Sequence, residues 1–172
     1  GVIWADYECT FPELSQNTTL YGHNWYNIYT PRTLENMQSN DLMFSLVMSY
    51  HYTDFAQQNP FIYFSTTEQD YVFQVFAAFY TDLSFGYNFA NMTDEQTQQV
   101  IAEAKAKSRQ NYNVSVTSED KILTLSTCTR MYGNTNNQRF VVMAKLVPAG
   151  TPSTTISTHT NAVAYNDKVG RE

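Results

Sequence analysis

The feature that most constrains the fold is an apolar run at 71–80, which reads Tyr-Val-Phe-Gln-Val-Phe-Ala-Ala-Phe-Tyr. Aromatic and β-branched residues favour a pleated surface, and a strand that is apolar at nearly every position needs cover on both faces. The run is well short of the roughly 20 residues needed to cross a bilayer. The sequence therefore predicts a central strand of a packed sheet rather than a membrane span.

Shorter patterns predict the other elements around this strand. Strands are expected at 18–21, 61–65, 121–128 and 139–147, where β-branched and aromatic residues lie between turn signals. Apolar residues at three- and four-residue spacings predict a helix over 41–57, and Thr93 with Gln96 forms a capping box that opens a helix over 93–110. The asparagine-rich loop around Gly133 predicts a hairpin between the last two strands. This order of strands with helical crossings predicts a mainly β, barrel-like fold.

Length and charge exclude several classes of protein. A chain of 172 residues is the size of one domain and is long enough to bury a core. Its net charge of -6 with only ten Lys and Arg argues against a nucleic-acid partner, because phosphate binding needs clustered basic residues. The start of the chain lacks a basic segment followed by an apolar one, so any export signal or membrane anchor is expected upstream of Gly1.

Two cysteines, Cys9 and Cys128, are too few for a disulfide framework and lack the close spacing of a metal knuckle. At least one free thiol is expected, with no metal and no cofactor. Cys9, His51 and His159 have no evident second ligand or base, so a structural role is predicted for all three.

The predicted strands bring three reactive groups toward one another. His23 follows the strand at 18–21, Cys128 ends the strand at 121–128, and Arg139 begins the strand that pairs with it. Alternation along a strand puts Ser126 on the same face as Cys128, where both could line a groove.

The residues around these groups form a recognisable set. They are Tyr21-Gly22-His23-Asn24, Thr124-Leu125-Ser126-Thr127-Cys128, Arg139-Phe140-Val141-Val142 and Ala144-Lys145-Leu146. Over about residues 1–147 the chain resembles a class B sortase. The family's TLxTC signature matches the residues from Thr124 to Cys128, its histidine matches His23, and its strand arginine matches Arg139. The resemblance implies a closed β-barrel with the class B helix, here at 93–110, between strands six and seven. It also implies that the family's N-terminal helices and first two strands are absent, that 1–147 is the catalytic domain, and that 148–172 is a C-terminal extension.

The same resemblance implies a cysteine transpeptidase that cleaves a sorting signal through a thioester. Cys128 is expected to be the nucleophile, His23 the general acid and then base, and Arg139 the oxyanion and substrate clamp, joined by the backbone N–H of Thr129. Further substrate-binding candidates are Ser126, Thr127, Thr129, Tyr80, Thr81 and Tyr87.

The implied partners are a sorting-signal peptide and an amine, either of a peptidoglycan cross-bridge or of a pilin lysine. The implied location is the outer face of a Gram-positive plasma membrane, reached only through the upstream anchor. A pilus-polymerising sortase, a cysteine hydrolase without transfer, and a non-catalytic peptide- or glycan-binding module, suggested by the many Tyr and Phe, remain alternatives. The sequons at Asn17, Asn91 and Asn113 would fit a secreted glycoprotein, but such triplets arise often by chance.

Overall fold

A curled sheet of six strands carries the fold in the computed structural model, which describes residues 1–149 and 158–160. The six strands are β1 (Ile3–Ala5), β2 (Asn17–Gly22), β3 (Phe61–Ser65), β4 (Asp70–Asp82), β6 (Ile122–Cys128) and β7 (Gln138–Leu146). Two short strands, β5 (Gln110–Tyr112) and β8 (Thr158–Thr160), pair separately in antiparallel fashion. All the strands expected from the sequence are therefore present, with β1, β5 and β8 in addition.

The order across the main sheet is β1-β2-β6-β7-β4-β3. The prediction of a mainly β, barrel-like fold is confirmed, but the closed barrel is corrected to a curled half-barrel. Within the described residues β1 and β3 are the two edge strands and do not pair with each other. In this described part of the chain each edge strand is hydrogen-bonded along one side only, so the sheet is open there.

Strand β4 is buried on both faces, as the apolar run predicts. Phe73, Phe76 and Phe79 are all within 1% of complete burial. β4 lies between β3 and β7, so it is interior but not central; the middle of the sheet is the β6 and β7 pair. An apolar sequence indicates that both faces of a strand are covered, but it does not indicate where the strand lies in the sheet order. This is why the predicted central position was wrong.

Two pairings of β6 bring distant parts of the chain together. β6 and β7 form the predicted antiparallel hairpin, in which Cys128 lies opposite Arg139. On its other side β6 runs parallel to β2, with Tyr21 opposite Ser126. Because parallel strands end at the same edge of a sheet, whatever follows β2 lies beside the end of β6.

Helix α2 (Asp94–Lys107) begins with the predicted capping box, in which Thr93 accepts from the Gln96 N–H and the Gln96 side chain accepts from the Thr93 N–H. Its stripe of Val100, Ile101 and Ala104 is buried, as predicted. The helix ends at Lys107 rather than at 110, because the chain there turns into β5.

The single helix predicted over 41–57 is wrong. The segment contains a 3-10 helix (Val47–His51) and a short helix α1 (Thr53–Gln58) instead. Met43 has a φ of 55° and Tyr52 is extended, with φ -96° and ψ 136°. Either conformation interrupts the continuous hydrogen bonding of an α-helix, although the apolar spacing still supplies the buried face.

No helix of the described residues has the length and apolarity to span a membrane. Of the predicted extension over 148–172, only 148–149 and 158–160 lie within the described residues. His159 falls in β8, where its backbone pairs opposite Asn111.

Candidate active site

His23, Cys128 and Arg139 meet at one edge of the sheet because three strands end or begin there. The parallel register of β2 and β6 carries His23 and Cys128 just past the paired residues Tyr21 and Ser126. The antiparallel register of β7 sets Arg139 opposite Cys128. All three side chains line one hollow of about 400 Å³. The juxtaposition expected from the sequence is thus present in the structure.

Two hollows flank the half-buried Cys128. The one with all three groups is called here the Tyr87 hollow and also includes Trp4, Tyr21, Gly22, Leu83, Phe85, Tyr87, Asn88, Ser126 and Thr127. The other, of about 250 Å³, is called the Asn136 hollow and is lined by His23, Asn24, Trp25, Ile28, Cys128, Thr129, Arg130, Thr135 and Asn136. His23 and Cys128 line both, so a thiol and an imidazole stand where two separate ligands could approach.

Two tryptophan rings flank the imidazole of His23. The ring centroids of Trp4 and Trp25 lie 5.2 Å and 5.4 Å from that of His23. Within the described part of the chain the imidazole makes no hydrogen bond to protein, so both ring nitrogens are open to a reacting group. Among the described residues this ring therefore contacts aromatic rings rather than an orienting amide or carboxylate.

Buried Asn24 ties the loop after β2 to the end of β6. Its Nδ2 donates to the Cys128 carbonyl at 3.5 Å, and its Oδ1 accepts from the Asn27 N–H at 3.0 Å. A second tie is the Thr127 hydroxyl, which donates to the Gly22 carbonyl at 2.7 Å. The residues adjoining His23 and Cys128 are thus bonded to each other's strands, which fixes the spacing of the two groups.

Arg139 is anchored at one nitrogen and open at the others. Its Nη1 donates to the carbonyls of Asn136 at 2.9 Å and of Gln138 at 2.8 Å. Among the described residues no partner is found for its Nε and Nη2. The guanidinium is thereby held beside Cys128 with donors left for an oxygen that develops negative charge.

The expectation that the Thr129 N–H is available to an oxyanion is corrected by the structure. That N–H donates to the Gln138 carbonyl at 3.3 Å, as part of the continuing hairpin. The Thr129 side chain is buried and donates to the Ile28 carbonyl at 3.2 Å. Although Thr129 lines the Asn136 hollow, its polar groups are used within the protein.

The remaining predicted binding residues divide into two groups. Ser126 and Tyr87 line the Tyr87 hollow together, joined by a hydrogen bond of 2.8 Å between their hydroxyls. Burial raises the pKa of Tyr87, so this phenol stays protonated at neutral pH. Tyr80 and Thr81 line neither hollow: both are 2% exposed, and the Tyr80 hydroxyl lies 2.8 Å from Nδ1 of His51.

Sequence reasoning missed the tryptophans and Asn24. Trp25 follows His23 by two residues, and Trp4 lies in β1 opposite Tyr21. An aromatic residue that close to a histidine in sequence was a usable signal for Trp25. The place of Trp4 depends on a strand of three residues, too short for alternation to predict.

Gly22 is needed because the Phe44 ring covers it. A Cβ at this position would come within 2.5 Å of the ring, and the Phe44 N–H donates to the His23 carbonyl. We expect Gly22→Ala to displace Phe44 and His23 together and to lower the free energy of unfolding by about 1–3 kcal/mol, measured by urea denaturation. Adding Phe44→Leu makes room for the methyl group and should recover part of the loss; no recovery would contradict this steric account.

The described residues contain no group of three or more His, Cys, Asp or Glu side chains able to hold a metal ion. The chemistry available at this edge is that of a thiol, an imidazole and a guanidinium. The class of protein to which the chain belongs must then present these three groups on a curled half-barrel.

Comparison with known proteins identifies that class. The family model of the sortase domain matches residues 1–147, and the chain belongs to the sortase family. It is 33% identical over 150 residues to sortase B of Staphylococcus aureus, a match that covers 86% of this chain and 55% of the relative. Sortase B of Listeria monocytogenes is 29% identical over 150 residues, covering 86% of this chain and 54% of that protein. The chain thus spans about half the length of these curated relatives.

Solved structures agree with these relatives. A substrate complex of S. aureus sortase B superposes with a TM-score of 0.71 at 32% identity, covering 87% of this chain and 63% of that one. A complex of sortase B with triglycine gives 0.70 at 32% identity, covering 87% and 64%. The class B resemblance predicted from the sequence is confirmed.

Proposed function

We propose that this chain is the catalytic domain of a class B sortase, a cysteine transpeptidase that cleaves a sorting signal and transfers its acyl part to an amine. The observation that carries the proposal is the meeting of Cys128, His23 and Arg139 at one hollow, with Cys128 also open to a second hollow. We assign the sorting peptide to the Tyr87 hollow and the incoming amine to the Asn136 hollow.

In the first half-reaction the Cys128 thiolate attacks the scissile carbonyl carbon of a peptide in the Tyr87 hollow. A carbon–sulfur bond forms, and the carbonyl oxygen becomes an oxyanion that the free N–H groups of Arg139 stabilise. The tetrahedral centre then expels the amine-side fragment as the carbon–nitrogen bond breaks. Protonated His23 gives that nitrogen its proton, leaving a thioester on Cys128 and a neutral imidazole.

In the second half-reaction an amine in the Asn136 hollow attacks the thioester. His23, now neutral, takes a proton from the attacking nitrogen, and Arg139 again receives the oxyanion. The carbon–sulfur bond breaks, which releases the new amide and restores both the thiolate and the protonated imidazole. The enzyme ends the cycle as it began, with no metal or cofactor required.

The acceptor is proposed to be an amine at the bacterial cell surface. The triglycine complex of the sortase B relative favours a glycine-like amine over a lysine side chain. We therefore rank the cross-bridge of peptidoglycan before a pilin lysine. The proposed place of action is the outer face of a Gram-positive plasma membrane, with anchoring by a segment upstream of Gly1.

A ligation assay tests the function and its rivals together. The protein is incubated with a library of five-residue sorting motifs carried in longer peptides, with triglycine or an N-acetyl lysine amide, and the products are read by mass spectrometry. Transpeptidation predicts a peptide joined to triglycine. A hydrolase would give only the free acid at a rate that the amine does not change, and a binding module would give neither product.

Selective labelling of the two cysteines gives an independent prediction. Cys128 lines two hollows, whereas the Cys9 sulfur lies 3.4 Å from the Thr19 N, and burial raises the pKa of the Cys9 thiol. Since the thiolate is the reactive form, a limiting amount of a methanethiosulfonate should modify Cys128 first, as shown by peptide mapping. Cys9→Ser should leave the labelling rate unchanged. Faster modification of Cys9 in the native protein would count against Cys128 as the nucleophile.

A further inference from the structure

One wall of the Tyr87 hollow is a loop, residues 83–92, that connects β4 to α2. Leu83, Phe85, Tyr87 and Asn88 of this loop all line the hollow. The loop has no regular secondary structure, so its position must be set by contacts with the rest of the protein. Whatever fixes those contacts also fixes the shape of the hollow in which the peptide is proposed to bind.

Asn17, the first residue of β2, supplies three hydrogen bonds to this loop. Its Nδ2 donates to the carbonyls of Tyr87 at 2.8 Å and of Phe89 at 3.2 Å, and its backbone N–H donates to the Ala90 carbonyl at 3.0 Å. Its Oδ1 accepts from the Thr124 hydroxyl of β6 at 2.7 Å. The side chain is completely buried, so water does not compete for these bonds. Both hydrogens of the amide are committed to the loop.

The other half of the loop, next to β4, is more exposed to solvent. Leu83 is 61% exposed, Ser84 is exposed, and Phe85 is half-buried. The Phe85 ring lies 6.0 Å from the Tyr87 ring and 5.9 Å from the buried Phe79 ring of β4. The Lys107 ammonium of α2 lies 5.6 Å from its centroid.

Tyr87 in turn reaches Ser126, two residues before Cys128, through the bond between their hydroxyls. Asn88 is also tied to β2, since its Nδ2 donates to the Tyr21 hydroxyl at 3.0 Å. The amide of Asn17 therefore fixes the 87–90 part of the loop, whereas Phe85 is held in part by β4 and α2.

We propose that Asn17 is a positioning residue for peptide recognition, which holds residues 87–90 of the loop against β2 so that Tyr87 gives the hollow its shape. The inference rests on the proposed function, since it assigns the peptide to the Tyr87 hollow. Asn17 lines neither hollow and acts only through the loop. It lies six residues before His23 in the chain, and its side chain bonds to the loop that forms one wall of the hollow.

The test separates binding of the peptide from the chemical step. Asn17→Ser removes both amide donors. We expect KM for the fastest-ligated library peptide to rise about tenfold, while KM for triglycine and kcat stay within about twofold, because β2, β6 and β7 still position His23, Cys128 and Arg139. Thr124→Val is the matched control: it removes the bond of Asn17 to β6, leaves the bonds to the loop, and should leave KM for the peptide unchanged.

A measurement without substrate accompanies the kinetics. In Asn17→Ser the loop should be cut by chymotrypsin under native conditions after Tyr87 or Phe89, whose carbonyls Asn17 holds, whereas the wild type and Thr124→Val should resist at these two positions. If Asn17→Ser does not fold, Asn17→Leu keeps the volume and removes the same donors. A folded variant with unchanged KM for the peptide, or with equal rises for peptide and triglycine, overturns the positioning role. A wild type that ligates no library peptide contradicts the proposed function instead, and the proteolysis then still reports whether Asn17 holds the loop.

Discussion

Replacing Cys128 with alanine is expected to lower ligation of a sorting peptide to triglycine by at least about a thousandfold, since no thioester can form without the sulfur. The substitution removes one atom from a half-buried position between the two hollows. It leaves the β2, β6 and β7 pairing intact, so the fold should persist. Ligation is followed by mass spectrometry, and the wild type should in addition show a covalent acyl-enzyme that Cys128→Ala lacks.

Cys9→Ser is the matched control for this experiment. Cys9 is the other free cysteine among the described residues, and it lines neither hollow. Its serine variant should ligate within about twofold of the wild type, in line with the small effects of substitutions away from special sites. Retention of activity by Cys128→Ala, or an acyl group found on Cys9, would remove the basis of the proposed mechanism.

The second large effect is expected at Arg139. Arg139→Lys keeps the positive charge, but an ammonium cannot bond to the Asn136 and Gln138 carbonyls and still present a fixed fork of donors to the oxyanion. Loss of one oxyanion donor costs about 2.7–4 kcal/mol, roughly a hundredfold to thousandfold in kcat. The expected result is a fall in kcat with a much smaller change in KM for the peptide, measured at saturating triglycine.

Arg32→Lys is the matched control, because it makes the same substitution outside the site. Arg32 pairs with Asp41 at 3.2 Å and lines neither hollow, so its lysine variant should keep kcat within about twofold. A fall in Arg139→Lys that appears only in KM would assign this residue to peptide binding alone. An unchanged kcat in both variants would exclude Arg139 from oxyanion stabilisation.

Local patterns in the sequence predicted the elements that depend only on residues close together in the chain. The capping box at Thr93 starts α2 where expected, because it needs only neighbouring side chains. The hairpin that sets Cys128 opposite Arg139 was expected because two apolar strands follow each other across the Gly- and Asn-containing connection 129–137. The helix predicted over 41–57 was wrong because the apolar spacing also fits a 3-10 helix followed by a separate α-helix. The spacing of apolar residues indicates which side chains are buried, but it does not determine the backbone angles at Met43 and Tyr52.

The sequence by itself determined which reactive groups this protein carries, the strands and capped helix that present them, and its membership of the sortase family, since each of these is recorded in short stretches of residues. Only the tertiary structure decided how those groups meet. His23 and Cys128 are more than a hundred residues apart in the chain, and the parallel pairing of β2 with β6 brings them to one edge. The engagement of the Thr129 N–H and the Trp rings around His23 likewise depend on contacts between distant segments, which the packing of the whole sheet sets and no local pattern records.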